Sequence, residues 1–293
     1  MIFAAVARLW IGLIGASARW PAPWRARLAV LIGDLGWLLV ARRRRIADAN
    51  LRACFAQMPA QQRRALVRAM FRRVARGALD YGVLWHGSAA QVRDFVRIEG
   101  EQHLLAALDR PLILLAPHFV GLDAGGMRLV ADRRMATIYA RQSNAVWDAQ
   151  LRAGRARFNE PVLIAKQGAD LRTALRAMRA GLPLYYLPDM DLGAAQSIFV
   201  PFFGIPAATL PMVSRLARTL DARVILAVTE QTATGYVVHL EAPWSDFPGA
   251  SVEEDTVRMN REIERWVRRL PDQYLWTHRR FKTRPPGAAG LYG

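Results

Sequence analysis

Cysteine is nearly absent. Cys54 is the only one in 293 residues, so no internal disulfide can form, and nothing calls for an oxidising compartment. It falls in "NLRACFAQM", a helical pattern, and reads as a small core residue. Lysine is almost as scarce, with Lys166 and Lys282 alone beside an arginine-rich remainder. Acidic residues number 24 against 41 basic ones, leaving a formal net charge of +17. Long apolar runs are also missing. The first twenty residues are broken by Arg8, and the segment 28–40 carries Asp34, so neither comfortably makes a span of ~20 apolar residues. No G-x-S-x-G occurs, which removes the common serine nucleophile. "GLDAGG" (121–126) does not fit G-x-G-x-x-G and there is no Walker loop, so no nucleotide cofactor is indicated. His86, His103 and His239 share no metal-ligand spacing, so no metal centre is expected. Internal repeats and low-complexity linkers are lacking.

What is present is distributed unevenly. Residues 1–76 hold fifteen arginines against Asp34 and Asp48, so most of the basic excess lies in the first quarter. That asymmetry points to an anionic membrane surface or to nucleic acid. Tryptophans 10, 20, 24 and 37 flank the two N-terminal apolar segments, as at a lipid–water interface. The N-terminus lacks a basic n-region and a cleavage pattern before Trp20, so a cleaved signal peptide is not expected. Residues 1–45 read as a membrane anchor, either one span or two interfacial helices, followed by a domain over 46–293. A pair of buried core helices is the alternative. Residues 61–79 form a basic amphipathic helix: Leu66, Val67, Met70, Phe71, Val74 and Ala78 repeat at three- and four-residue steps. It faces either the core, with a solvated charged side, or an anionic surface.

From about residue 95, strands and helices alternate. Strands are expected at 111–117, 135–140, 161–165, 182–188 and 222–231, with a hairpin partner at 235–243. Helices are expected at 122–131, 170–181, 209–221 and 252–270, the second opening near Asp170 and stopping at Gly181. This pattern predicts an α/β fold with a mostly parallel central sheet flanked by helices. With 53% hydrophobic residues the chain has ample material for its core.

One stretch carries chemistry. In "LLAPHFVGLD" (114–123), a histidine follows the end of a buried strand and an aspartate comes five places later. Ligands of open α/β sheets bind beyond the carboxyl ends of strands. Residues five apart on a regular helix point ~140° apart. His118 and Asp123 therefore meet only if the first lies in the loop and the second in the first helical turn. There the aspartate accepts from one imidazole nitrogen and leaves the other to take a proton. Such a base, with no nucleophile of its own, suits activation of a substrate hydroxyl.

His118-x4-Asp123 after an apolar strand resembles the signature of glycerolipid and lipid A acyltransferases. "YARQSNAVWD" (139–148), "GRAR" (154–157), "YYLPDMDLGAAQSIFVPFFGIPAAT" (185–209) and "PDQYLWTHRRFKTRPPG" (271–287) resemble the lipid A late acyltransferases, the lauroyl or myristoyl transferases. The resemblance spans nearly the whole chain. It implies a glycerolipid acyltransferase-like fold with N-terminal membrane-anchoring helices. It also implies an O-acyltransferase that takes an acyl chain from acyl carrier protein to a hydroxyl of a lipid A precursor, at the cytoplasmic face of the bacterial inner membrane, without a cofactor. Carried over residue by residue, His118 is the general base and Asp123 its partner, where many relatives have glutamate. Arg155 is a clamp for phosphate or oxyanion. Asp189 is a second acid, expected to orient a basic partner. Arg141 and Asn144 are expected to bind substrate, although the family's Tyr-Arg pair here reads Tyr139-Ala140-Arg141. "FVPFFG" (199–204) is either core or part of an acyl groove. Two other readings remain: the same chemistry on a lysophospholipid, amino-acid lipid or glycolipid, and a basic nucleic-acid-binding protein, which "HRRFKTR" (278–284) alone would suggest.

Overall fold

The structure, a computed structural model, describes residues 2–165 and 171–292. Lys166 and Asp170 lie outside the described residues.

Helices come first: α1 (Ile2–Ser17), α2 (Ala22–Leu39), α3 (Ala41–Cys54), α4 (Ala60–His86) and α5 (Ala89–Phe95). Pro59 sits at the N-cap of α4 and Gly87 at its C-cap. Val67, Met70, Ala75 and Leu79 are buried on α4, whereas Val74, on the apolar face that the sequence suggests, is 41% exposed. Both α1 and α2 pack on α4. The Ser17 hydroxyl donates to the Leu79 carbonyl at 2.8 Å. Gly33 of α2 lies so close to α4 that a Cβ there would meet the Arg72 Cα at 2.5 Å. Asp34 accepts from Arg68 and Arg72 at 2.6–2.8 Å. Arg73 pairs with Asp272, and Arg76 with Asp80. Four arginines of the basic helix thus share three carboxylates within the chain.

Of the two forms expected for the N-terminal anchor, one span or two interfacial helices, the single span is corrected by this arrangement. No helix among the described residues is long and apolar enough to cross a membrane; α2 carries Arg25, Arg27 and Asp34 within its length. The buried-pair alternative does not describe these helices either, because only their inner stripe is covered. Leu39 is 78% exposed, Leu9 75% and Trp24 63%. α3 runs through position 45, joining the N-terminal helices to the rest.

The α/β layer follows. Its strands are β1 (Val96–Glu99), β2 (Leu112–Leu115), β3 (Ala136–Tyr139), β4 (Val162–Ala165) and β5 (Leu184–Tyr186), then β8 (Arg223–Gln231) and β9 (Tyr236–Leu240) after a separate antiparallel hairpin of β6 (Ile198–Phe202) and β7 (Ile205–Thr209). Among the described residues the main sheet runs β1-β9-β8-β2-β5-β3-β4. Only β8 and β9 pair antiparallel in it, as the hairpin reading expects. Every residue of β2 is buried, the mark of a central strand covered on both faces. The crossovers carry α6 (Glu101–Ala106), α7 (Leu122–Asp132), α8 (Ala145–Ala156), α9 (Leu171–Arg179) and α10 (Met212–Leu220); α11 (Val252–Arg269) closes the fold. Gly181 ends α9 at φ +81, a left-handed conformation that glycine adopts without Cβ strain. The "FVPFFG" alternatives resolve to core: Phe202 is fully buried, and Phe203 packs on Phe55 and Trp276.

Candidate active site

β2 and β5 are parallel neighbours, with Leu115 opposite Tyr186. The Ala116 amide donates to the Tyr186 carbonyl at 2.8 Å. The loops that leave these two strands therefore emerge side by side, and each delivers a titratable group. His118 comes three residues after β2, and Asp189 three residues after β5. Asp189 Oδ1 lies 2.7 Å from His118 Nδ1. Its Oδ2 accepts from the His118 amide at 3.0 Å and from the Tyr274 hydroxyl at 2.9 Å.

Asp189 is 2% exposed. Burial alone would raise its pKa, but the charge and hydrogen bonds of His118, with the Tyr274 hydroxyl, hold the carboxyl well below the usual carboxylate range. A buried, ionised acid on Nδ1 fixes that nitrogen as the N–H side. It leaves Nε2 to take a proton.

The segment after α11 completes the enclosure. The Leu275 amide donates to the His118 carbonyl at 2.9 Å, and the Val120 amide to the Gln273 carbonyl at 2.8 Å. Asp191, two residues past Asp189, accepts from the Thr283 amide and hydroxyl at 2.6 and 2.8 Å. Arg280, in the basic run that alone suggested nucleic acid, is 3% exposed and donates to the Ala208 carbonyl at 2.9 Å. That run is an internal strut.

The sequence-based pairing of Asp123 with His118 is corrected here. Asp123 does lie in the first turn of α7, but its carboxylate turns the other way. Oδ1 accepts from Arg155 Nε and Nη2 at 3.0 and 2.7 Å, and Oδ2 from the Tyr81 hydroxyl. The physical reason is competition. Arg155 is a permanent cation in a largely enclosed place, its charge stabilised chiefly by Asp123. His118 Nδ1 is already satisfied by Asp189. Two carboxylates thus hold two different nitrogen groups, one the imidazole and one the guanidinium.

His118, Asp123 and Arg155 all line a cleft of about 320 Å³. Its remaining wall is largely apolar, with Met127, Val130, Ile138, Leu163 and Leu187 along it. Asn144 and Arg141 are not part of that wall. The Asn144 side chain caps α8, accepting from the Val146 and Trp147 amides at 3.1 Å, and Arg141 is exposed outside it. Tyr81, Tyr274 and His278 touch the site without having been singled out from the sequence. Among the described residues no cluster of metal-ligating groups occurs.

The model of the bacterial lipid A biosynthesis acyltransferase family matches residues 3–283. The chain belongs to that family, and is an acyltransferase. Similar proteins include the lipid A biosynthesis lauroyltransferase of Escherichia coli strain K12, 30% identical over 97% of this chain and 95% of its own. The palmitoleoyltransferase of the same strain is 29% identical over the same shares. The myristoyltransferase is 28% identical over 97% of this chain and 89% of its own. Among solved structures, the 1-acyl-sn-glycerophosphate acyltransferase of Thermotoga maritima covers 87% of this acyltransferase and 99% of its own chain, at 13% identity and a TM-score of 0.39.

Proposed function

We propose that this acyltransferase moves a fatty acyl chain from acyl carrier protein to a hydroxyl of a lipid A precursor at the cytoplasmic face of the inner membrane. The observation that carries the chemistry is the His118–Asp189 pair, with His118 on the wall of a largely apolar cleft. His118 Nε2 removes the proton from the acceptor hydroxyl as its oxygen attacks the thioester carbon. The tetrahedral intermediate collapses, and the carrier's thiolate leaves with the proton from His118. Asp189 stays ionised throughout and stabilises the imidazolium. Arg155, anchored by Asp123, puts positive charge on the cleft wall, where the developing oxyanion or an acceptor phosphate gains from it. The apolar lining suits the acyl chain.

The membrane half of the reading rests on α1 and α2. Their exposed leucines and tryptophans, beside Arg8 and Arg27, fit an anionic bilayer surface with the helices lying in the interface. The purified chain, given acyl carrier protein thioester and a hydroxylated lipid A precursor in mixed micelles, is expected to add one acyl chain by mass spectrometry. Transfer only to a lysophospholipid would move the acceptor assignment and leave the chemistry. Absence of transfer to every hydroxylated lipid would end the reading.

A further inference from the structure

We propose that His278 is a second catalytic imidazole, donating its ring N–H to the carbonyl oxygen of the acyl donor. The inference rests on the acyl-transfer reading above. His118 and His278 both line the cleft, and their rings meet edge to face, centroids 4.8 Å apart at 72°. Their surroundings give them different work. His118 has a carboxylate at 2.7 Å and can hold a proton. Neither ring nitrogen of His278 has a hydrogen-bond partner among the described residues. Burial, helped by the charges of His118 and Arg43 and opposed by Asp189, brings the His278 pKa down to about 4. A ring that stays neutral keeps one N–H and gives up no charge. It serves as a donor to a developing oxyanion rather than as a competing base.

The backbone of His278 is held firmly. Asn50 of α3 donates to the carbonyls of Trp276 and His278 at 2.7 and 2.8 Å. The Tyr292 hydroxyl donates to Asn50 Oδ1 at 2.5 Å. The Arg155 guanidinium is less available for this task, since Nε and Nη2 already bond Asp123. In the proposed step the acceptor's O–H proton passes to His118 Nε2 and the new C–O bond forms. The carbonyl electron pair moves onto oxygen, facing the His278 N–H. Collapse restores C=O, breaks C–S and returns the His118 proton to the thiolate; His278 ends as it began.

The test compares wild type, His118→Ala, His278→Phe and His278→Gln with one acyl carrier protein thioester and one lipid acceptor. His278→Phe keeps the ring packed on His118 and removes the N–H; His278→Gln restores a donor. Expected is a loss of about 10²-fold in kcat for His278→Phe, with acceptor KM and the acidic limb of the pH–rate profile unchanged. His278→Gln is expected to recover at least about tenfold of that loss, as a retained donor should. Should His278→Phe not fold, the isosteric pair His278→Leu and His278→Asn makes the same comparison. A folded His278→Phe as active as wild type, or a His278→Gln no better than it, overturns the donor role while leaving His118 as base. A wild type inert toward carrier thioesters overturns both.

Discussion

Around the cleft, polar and charged side chains are buried and bonded: Asp189, Arg280 and Gln273 are each at most 3% exposed. Along α1 and α2 the reverse holds, and large apolar side chains face outward. Both depart from the usual sorting of residues, in opposite directions. The first costs desolvation free energy, which hydrogen bonds offset in large part, Arg280 Nε being left without a partner. The second leaves apolar surface in water, which a lipid surface or a protein partner would cover. The fold keeps the two apart. The sheet and the C-terminal segment rigidify the cleft, while α4 carries the outer helices on its far stripe.

The sharpest way to break this contrast is at the cleft. His118→Ala is expected to lower transfer by at least about 10³-fold while thermal unfolding and vesicle binding stay as in wild type. A folded, active variant would remove His118 from the chemistry. Asp189→Asn comes next, at about 10³-fold, because a neutral amide no longer stabilises the imidazolium. Asp123→Asn is expected to cost less, about 10²-fold, with the pH–rate profile of wild type, since it disturbs Arg155 and not the base. A shifted acidic limb in Asp123→Asn would contradict that division.

Much of this architecture was legible beforehand. The β2–loop–α7 unit showed as an apolar run stopped by Pro117 before His118, and the β8–β9 hairpin as two apolar runs around Gly235. The partner of His118 was not legible. Asp189 lies seventy-one residues away, and the two meet only because β5 inserts beside β2, a strand order that no local pattern encodes. Asp123, five places on, is the nearer carboxylate in sequence; the Arg155 and Tyr81 groups that claim it come from α8 and α4. His278 sits within a basic run, 278–284, whose pattern signals charge rather than a site. That run's real work, bracing the site through Arg280 and Thr283, depends on long-range packing.

The outer helices give the next effect. Leu31→Glu together with Leu38→Glu, both exposed on α2, is expected to lower partition into anionic vesicles by roughly tenfold per residue. Activity on micellar acceptor should stay unchanged. Equal vesicle binding by flotation would assign the exposed surface another purpose. The smallest effect concerns pH. His278 has its folded pKa lowered from 6.5 to about 4, so between those values the unfolded chain binds more protons. Stability is therefore full above pH 6.5 and falls as pH drops toward 4, by at most about 3 kcal/mol. Denaturant unfolding across that window should show the fall, and His278→Phe should flatten it; an equal slope in both would place the cause elsewhere.

The carboxylate in the loop after β5, rather than the one in α7, orients the His118 imidazole. The ¹⁵N spectrum of the His118 ring at neutral pH tests it most directly, in wild type, Asp189→Asn and Asp123→Asn. A protonated Nδ1 and an open Nε2 are expected in wild type, preserved in Asp123→Asn and lost in Asp189→Asn. Loss of that tautomer in Asp123→Asn, with Asp189→Asn unchanged, would contradict it.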